Sequence, residues 1–226
     1  MSSTGIVRLE KVAPSGWGWN MFLVPMANRG LLVHSPTMVS DDTFERIAEH
    51  GEPQILFAPN HFHYVHLRRF RERYPQAIVV ASESAMPRLA DKGNKSIREL
   101  SDVEPRLPAG VKWLRLMGAK AGEAWLSVPG EGGPTWLTCD AFMNIERPVS
   151  GMMGLGLRAV SAAPGFTISR TFGWLALSDT RAYSKWFLDM VEHERPRRLL
   201  LSHGEAIEGD DLPQRLSALV RKTFGG

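Results

Sequence analysis

The spacing of hydrophobic and polar positions changes along the chain, and each change marks an element. Residues 6–12 alternate apolar and polar, as a half-buried strand does. Residues 20–26 and 31–35 predict two further strands. Ala27-Asn28-Arg29-Gly30 between them has hairpin chemistry, because Asn and Gly tolerate a positive φ. Ser40, followed by Asp41 and Asp42, predicts a helix start, and Gly51 predicts its stop. An apolar run at 54–58 predicts a buried strand. Residues 67–74 predict a helix, 77–81 a strand rich in β-branched side chains, and 82–90 a short helix limited by Pro87. Residues 91–110 are polar and punctuated by Pro and Gly, so they read as a connecting loop.

The second half repeats the scheme. Strands are predicted at 111–117, 123–128 and 135–139, with a Pro/Gly-rich turn at 129–134. Residues 141–166 are rich in Gly and Met. Met152, Met153, Leu155 and Leu157 suit an adaptable wall or lid, or an irregular packing segment. Residues 168–194 read as helix in two pieces that join near Ser178-Asp179. A buried strand at 199–202 ends at His203-Gly204, and Asp211-Leu212-Pro213 opens a last amphipathic helix. Each half holds strands and helices in turn, with no linker between halves and no repeat. The expectation is one domain over 1–226, with a sheet-on-sheet core flanked by helices.

Composition narrows the class. Of 226 residues, 43% are hydrophobic and 23% charged, as in a soluble globular protein. No apolar run approaches the ~20 residues of a membrane span, so no membrane partner is expected. The first residues, Met-Ser-Ser-Thr-Gly, lack the features of a secretory signal, and a single cysteine, Cys139, excludes an intrachain disulfide. Both favour the cytoplasm. The net charge of +3 is modest. The arginines of 67–74 read as a solvated helix face, and no nucleic-acid module accompanies them, so no nucleic-acid partner is expected. Core packing accounts for the seven Trp and ten Met; a homo-oligomer is left open.

Candidate chemistry concentrates after the strand at 54–58, where His61, His63 and His66 fall within six residues of a chain that has only seven histidines. In an extended segment His61 and His63 point to one side. If a helix starts near Tyr64, His63 and His66 share a face. Imidazole binds zinc, iron and copper, so a metal site at a strand end is the natural reading. Two later strands also end in ligand types, Asp140 and His203. His34 ends a strand as well and reads as a packing residue or a neighbour of the site. Cys139, next to Asp140, is expected to point to the opposite face. No Walker loop or Gly-x-Ser-x-Gly elbow is present, and Gly154-Leu155-Gly156 lacks the setting of a dinucleotide fingerprint.

This arrangement resembles the metallo-β-lactamase superfamily, which implies an α+β four-layer αββα sandwich. The family's His-x-His-x-Asp-His motif is matched by His61-Phe62-His63-Tyr64-Val65-His66, its bridging aspartate by Asp140, and its late His-Gly by His203-Gly204. Leu32-Val33-His34-Ser35-Pro36, Ala58-Pro59-Asn60 and His203-Gly204-Glu205 look like an uncharacterised branch of it. Val65 stands at the motif's aspartate, and Ala119 stands where the family's next histidine falls in Gly118–Gly122. The resemblance therefore implies His61, His63 and Asp140 at one metal position and His66, Asp140 and His203 at the other, each incomplete. A single ion follows, zinc first, with iron or manganese as alternatives. The implied activity is metal-dependent hydrolysis of an ester, amide, thioester or phosphoester small molecule, with Asp140 as the catalytic group positioning metal and water. Lys120, if it lies near the mouth of the site, would bind an anionic substrate group, a reading from its position alone. The alternative is a non-catalytic protein of this fold that binds a small molecule or a protein partner. An iron redox role would call for more carboxylates than the motif offers.

Overall fold

A computed structural model describes residues 5–225. In chain order the first half holds β1 (Val7–Val12), β2 (Gly18–Pro25), β3 (Gly30–His34), α1 (Asp41–His50), β4 (Glu52–Phe57), α2 (Leu67–Arg73), β5 (Ile78–Ala81), α3 (Met86–Asp91), β6 (Ile97–Glu99) and α4 (Leu100–Val103). The second holds β7 (Lys112–Arg115), β8 (Ala124–Val128), β9 (Thr135–Thr138), β10 (Met143–Ile145), α5 (Gly151–Ala159), β11 (Gly165–Thr167), α6 (Thr180–Glu194), β12 (Arg198–Leu201), β13 (Ile207–Glu208) and α7 (Leu212–Phe224). One sheet runs β1 through β6 in sequence order, and the other runs β13-β12-β9-β8-β7.

Alternation along each strand decides which layer a side chain joins. On β4, Ile55 and Phe57 meet Leu126, Leu137 and Leu200 of the second sheet, while Leu56 turns outward to Ile47, Phe70 and Leu89 of the first helical layer. On the second sheet, Leu126 and Leu137 face inward, and Trp125 and Trp136 face outward to Phe187, Val191 and Leu216 on α6 and α7. Three stacked apolar layers thus separate four structural layers, helix–sheet–sheet–helix, which is the αββα sandwich.

Direction fixes where the loops gather. β1 and β3 both pair antiparallel with β2, and β3, β4, β5 and β6 are mutually parallel. In the other sheet β9 and β12 are parallel, and β7 shares their direction because both β7 and β9 oppose β8. Ala124 N–H donates to Pro59 O (2.9 Å) and Asn20 N–H to Ser202 O (2.8 Å), so the loops after β1, β3, β4, β7, β9 and β12 lie at one end of the sandwich.

Three sequence expectations change. The stretch 91–110 is not a plain loop: Ile97–Glu99 pairs with β5 as an edge strand, and Trp113 Nε1 donates to Leu100 O, 3.1 Å away, which anchors α4. The stretch 141–166 carries the β10/β11 hairpin with α5 inside it. In the 27–29 turn the left-handed φ values fall on Asn28 and Arg29, while Gly30 (φ −71°) already starts β3. The helical region after 168 does divide at Asp179, with a π-helical turn at Phe172–Ala176 before α6. Among the described residues no helix is long and apolar enough to cross a membrane.

Candidate metal centre

Beyond β4 the chain does not stay extended. Asn60 Oδ1 accepts from Phe62 N–H (2.8 Å), and further turn bonds run through Tyr64 to Leu67, where α2 begins. The same-side geometry expected of alternate residues in a strand is therefore lost. The His61 ring packs edge-on against Phe62, with centroids 4.3 Å apart. Burial, then the nearby Arg88 charge, lowers its pKa. His66 occupies the N-cap position of α2 and lines the same cleft as His63. Burial, then Lys11, lowers its pKa. His63 alone of the three joins a cluster of ligand atoms.

That cluster is His63, Asp140 and His203, whose ligand atoms all lie within 4.8 Å of one another. Nε2 of His63 and Nε2 of His203 each stand 3.4 Å from Asp140 Oδ1. Such a distance is long for a hydrogen bond. Ligands at ~2.0–2.1 Å around a tetrahedral ion lie ~3.4 Å apart, so the spacing suits a shared cation. The distal nitrogens are tied back. His63 Nδ1 meets Ser35 Oγ at 2.7 Å, and His203 Nδ1 donates to Gly18 O at 3.1 Å. The Gly18 carbonyl can only accept, so it fixes the His203 tautomer and leaves that Nε2 free as a ligand, while the Ser35 hydroxyl holds the His63 ring in place. Trp17 stacks on the His203 ring at 4.6 Å. After His203 the chain turns at Gly204 (φ +100°), where a Cβ would lie 2.1 Å from Asn144 O. His61 and His66, assigned to the two metal positions by the resemblance, contribute no atom to this cluster, which draws one histidine from each position.

A buried carboxylate supports Asp140. Glu123 Oε1 accepts from Trp125 Nε1 (2.7 Å) and Ala141 N–H (3.1 Å); its Oε2 accepts from Asn60 Nδ2 (3.1 Å) and Asp140 N–H (3.2 Å). Asn60 Nδ2 also reaches Asp140 Oδ2 at 2.8 Å. Burial, then the Asp140 charge, raises the Glu123 pKa. Burial would raise Asp140 too, but the facing imidazoles of His63 and His203 prevail and hold its carboxyl well below the usual range. Cys139 is fully buried beneath, and burial followed by the two carboxylates raises its thiol pKa. Glu123, Cys139 and Asp140 form a second close group, but four donors already occupy the Glu123 oxygens, so it is a scaffold. Sequence reading missed Ser35, Asn60 and Glu123. The signal for Glu123 was there: one carboxylate opening the apolar strand Ala124–Val128.

The cluster floors a cleft of ≈600 Å³ with apolar walls that include Pro14, Trp19, Pro36 and Val65, and with Lys11 at its edge. Phe62 and Asp140 also border a smaller cavity of ≈160 Å³ lined by Met143, Phe172 and Leu175. Val65 is exposed, and Ala119 pairs with Leu177; neither supplies a ligand. Lys120 donates to Trp174 O (2.9 Å) and does not line the cleft. His34 lies in the core between Phe22 and Phe57.

No family model and no curated protein matches the sequence. Solved structures do match in shape. A metallo-β-lactamase from Erythrobacter litoralis superposes with TM-score 0.65 at 12% identity, covering 96% of this chain and 93% of the other. The metallo-β-lactamase FIM-1 from Pseudomonas aeruginosa, in its mono-zinc form, gives 0.60 at 12% identity, covering 96% and 90%. A flavo di-iron protein from Thermotoga maritima gives 0.62 at 14% identity, covering 95% of this chain and 57% of its own. At such identities the likeness speaks to architecture: this chain has the metallo-β-lactamase fold, with its ligand-type residues at the loop-bearing end of the sandwich.

Proposed function

We propose that the chain is a metal-dependent hydrolase with a single-ion centre made by His63, Asp140 and His203. The observation that carries this reading is the convergence of two Nε2 atoms on one carboxylate oxygen, with both distal nitrogens already engaged. Three protein ligands leave one position of a tetrahedral ion open, as catalytic zinc sites do. Zinc bound there would polarise an ester, amide, thioester or phosphoester and make water acidic near neutral pH. The chain's own part is orientation. Asn60 holds Asp140 Oδ2, so Oδ1 stays turned toward both imidazoles. Trp17 and the Gly18 carbonyl fix the His203 ring. The apolar walls limit water around a bound substrate. The small-molecule substrate and the cytoplasmic setting belong to the same proposal.

The test is hydrolysis of a panel of chromogenic aryl esters, thioesters and phosphodiesters by zinc-loaded protein. The reading expects turnover that chelator abolishes and that His203→Ala lowers by at least about a hundredfold. Turnover unaffected by both treatments contradicts it. A metal-filled protein inert to the whole panel would favour a binding role instead.

A further inference from the structure

The described residues expose eight large hydrophobic side chains: Val12, Val65, Met117, Met152, Met153, Leu155, Trp174 and Leu175. All eight lie at one end of the sandwich. Val12 closes β1, Val65 follows β4 and Met117 follows β7, three strands that deliver their C-terminal ends there. The π-helical turn with Trp174 and Leu175 is fastened to the loop after β7 by Ala121 N–H to Ala176 O (3.1 Å) and Lys120 Nζ to Trp174 O (2.9 Å). The start of α5 is fastened to the β1–β2 turn by Ser150 N–H to Ser15 O (2.8 Å), which brings Met152, Met153 and Leu155 to the same end. Their exposure is not marginal: Met152 is 92% exposed, Leu155 68% and Trp174 65%. Scattered exposed apolar residues need no explanation, but a segregated set does.

Charge is segregated with them. The framing stretches 11–17, 60–69, 116–122, 150–160 and 169–178 hold six cations, Lys11, Arg68, Arg69, Lys120, Arg158 and Arg170, and no Asp or Glu. The whole chain has 27 basic against 24 acidic side chains, so these five stretches depart from its average, while Glu83, Asp140 and Glu205 stand in the other loops of this end. Arg68 and Arg69 share Glu72 one turn on, whereas Lys11, Arg158 and Arg170 have no ion pair among the described residues. An apolar surface whose own stretches carry cations and no anions is the composition that enters a headgroup layer and pairs with anionic lipid. A second copy seated on this face would set six cations against six.

We propose that the cleft-bearing end docks on an anionic phospholipid surface, with the α5 and Trp174 side chains entering the headgroup region and the cations meeting phosphates. This stands apart from the hydrolytic reading, since it concerns the rim and not the metal ligands. It also departs from the expectation of no membrane partner. That expectation rested on the lack of one long apolar run, and a surface assembled from five separate stretches contains none.

The test is cosedimentation with vesicles of phosphatidylcholine alone and of phosphatidylcholine mixed with phosphatidylserine, across a salt series. The expected result is binding to the mixed vesicles that salt weakens. A Met152→Glu/Leu155→Glu double variant and Arg158→Glu should each weaken it about tenfold or more. Thermal melts of both variants should match the native protein, because these side chains are exposed. No binding to mixed vesicles at low salt, or equal binding by the variants, overturns the proposal. So does a solution dimer that the same substitutions convert to monomer.

Discussion

Ser35 holds a left-handed φ of +57° while fully buried, a conformation that a non-glycine residue keeps only under constraint. Its hydroxyl is where His63 Nδ1 is fixed. Ser35→Ala should therefore lower metal affinity by roughly tenfold to a hundredfold while leaving the melting temperature nearly unchanged. Competition against a chromogenic chelator measures the first and calorimetry the second; unaltered affinity would remove Ser35 from the account. His34, one residue earlier, acts on stability. It is fully buried, and neither ring nitrogen has a hydrogen-bonding partner among the described residues. Burial, aided by His63, pushes its pKa down to about 3. The unfolded chain takes a proton at this residue near pH 6.5 and the native chain does not, so stability is lost as pH falls from there toward about 3, by up to ~1.4 kcal/mol per pH unit. His34→Leu should flatten that slope. Denaturant midpoints at about pH 7 and about pH 4.5 read it directly, and an unchanged difference between them would refute the assignment.

At the scale of elements, α6 begins on a cap that also braces the loop after β7. Asp179 Oδ1 accepts from Arg181 N–H (3.0 Å) and Ala182 N–H (2.9 Å), satisfying donors that a helix start leaves open. Ser178 N–H donates to Gly118 O (2.7 Å), which ties the same junction to the loop carrying Ala119. Asp179→Ala should cost about 1 kcal/mol in global stability and raise hydrogen exchange in residues 118–122. Protection there equal to the native protein would separate the cap from the loop. This junction was readable because an Asp after Ser178 interrupts the helical pattern. The strand at 97–99 was not, because Ile-Arg-Glu has only one apolar position and gains its pairing from β5 across the chain. The helix at 151–159 was hidden by its three glycines, which argue against helix by local preference.

At the scale of the molecule, the αββα sandwich was legible because strands buried on both faces are continuously apolar while helices are periodic. Ile55, Leu56 and Phe57 divide between two cores by alternation alone. The candidate site was legible in part. His63, Asp140 and His203 each follow an apolar strand, and such strand ends gather wherever parallel strands do. What the sequence could not disclose was the path after Asn60, where turn bonds replace an extended run and send the His61 ring toward Phe62. The contacts of Ser35 and Glu123 were hidden for a related reason, since both cross more than a dozen residues of chain to reach the residues they hold.

Metal content of protein purified without affinity metals, then reconstituted, tests the centre most directly. The native chain and its His61→Ala variant should each hold about one ion, and His63→Ala, Asp140→Ala and His203→Ala should hold none. Loss of metal in His61→Ala with retention in His203→Ala, or no metal in the native chain after reconstitution, would contradict a centre built on His63, Asp140 and His203.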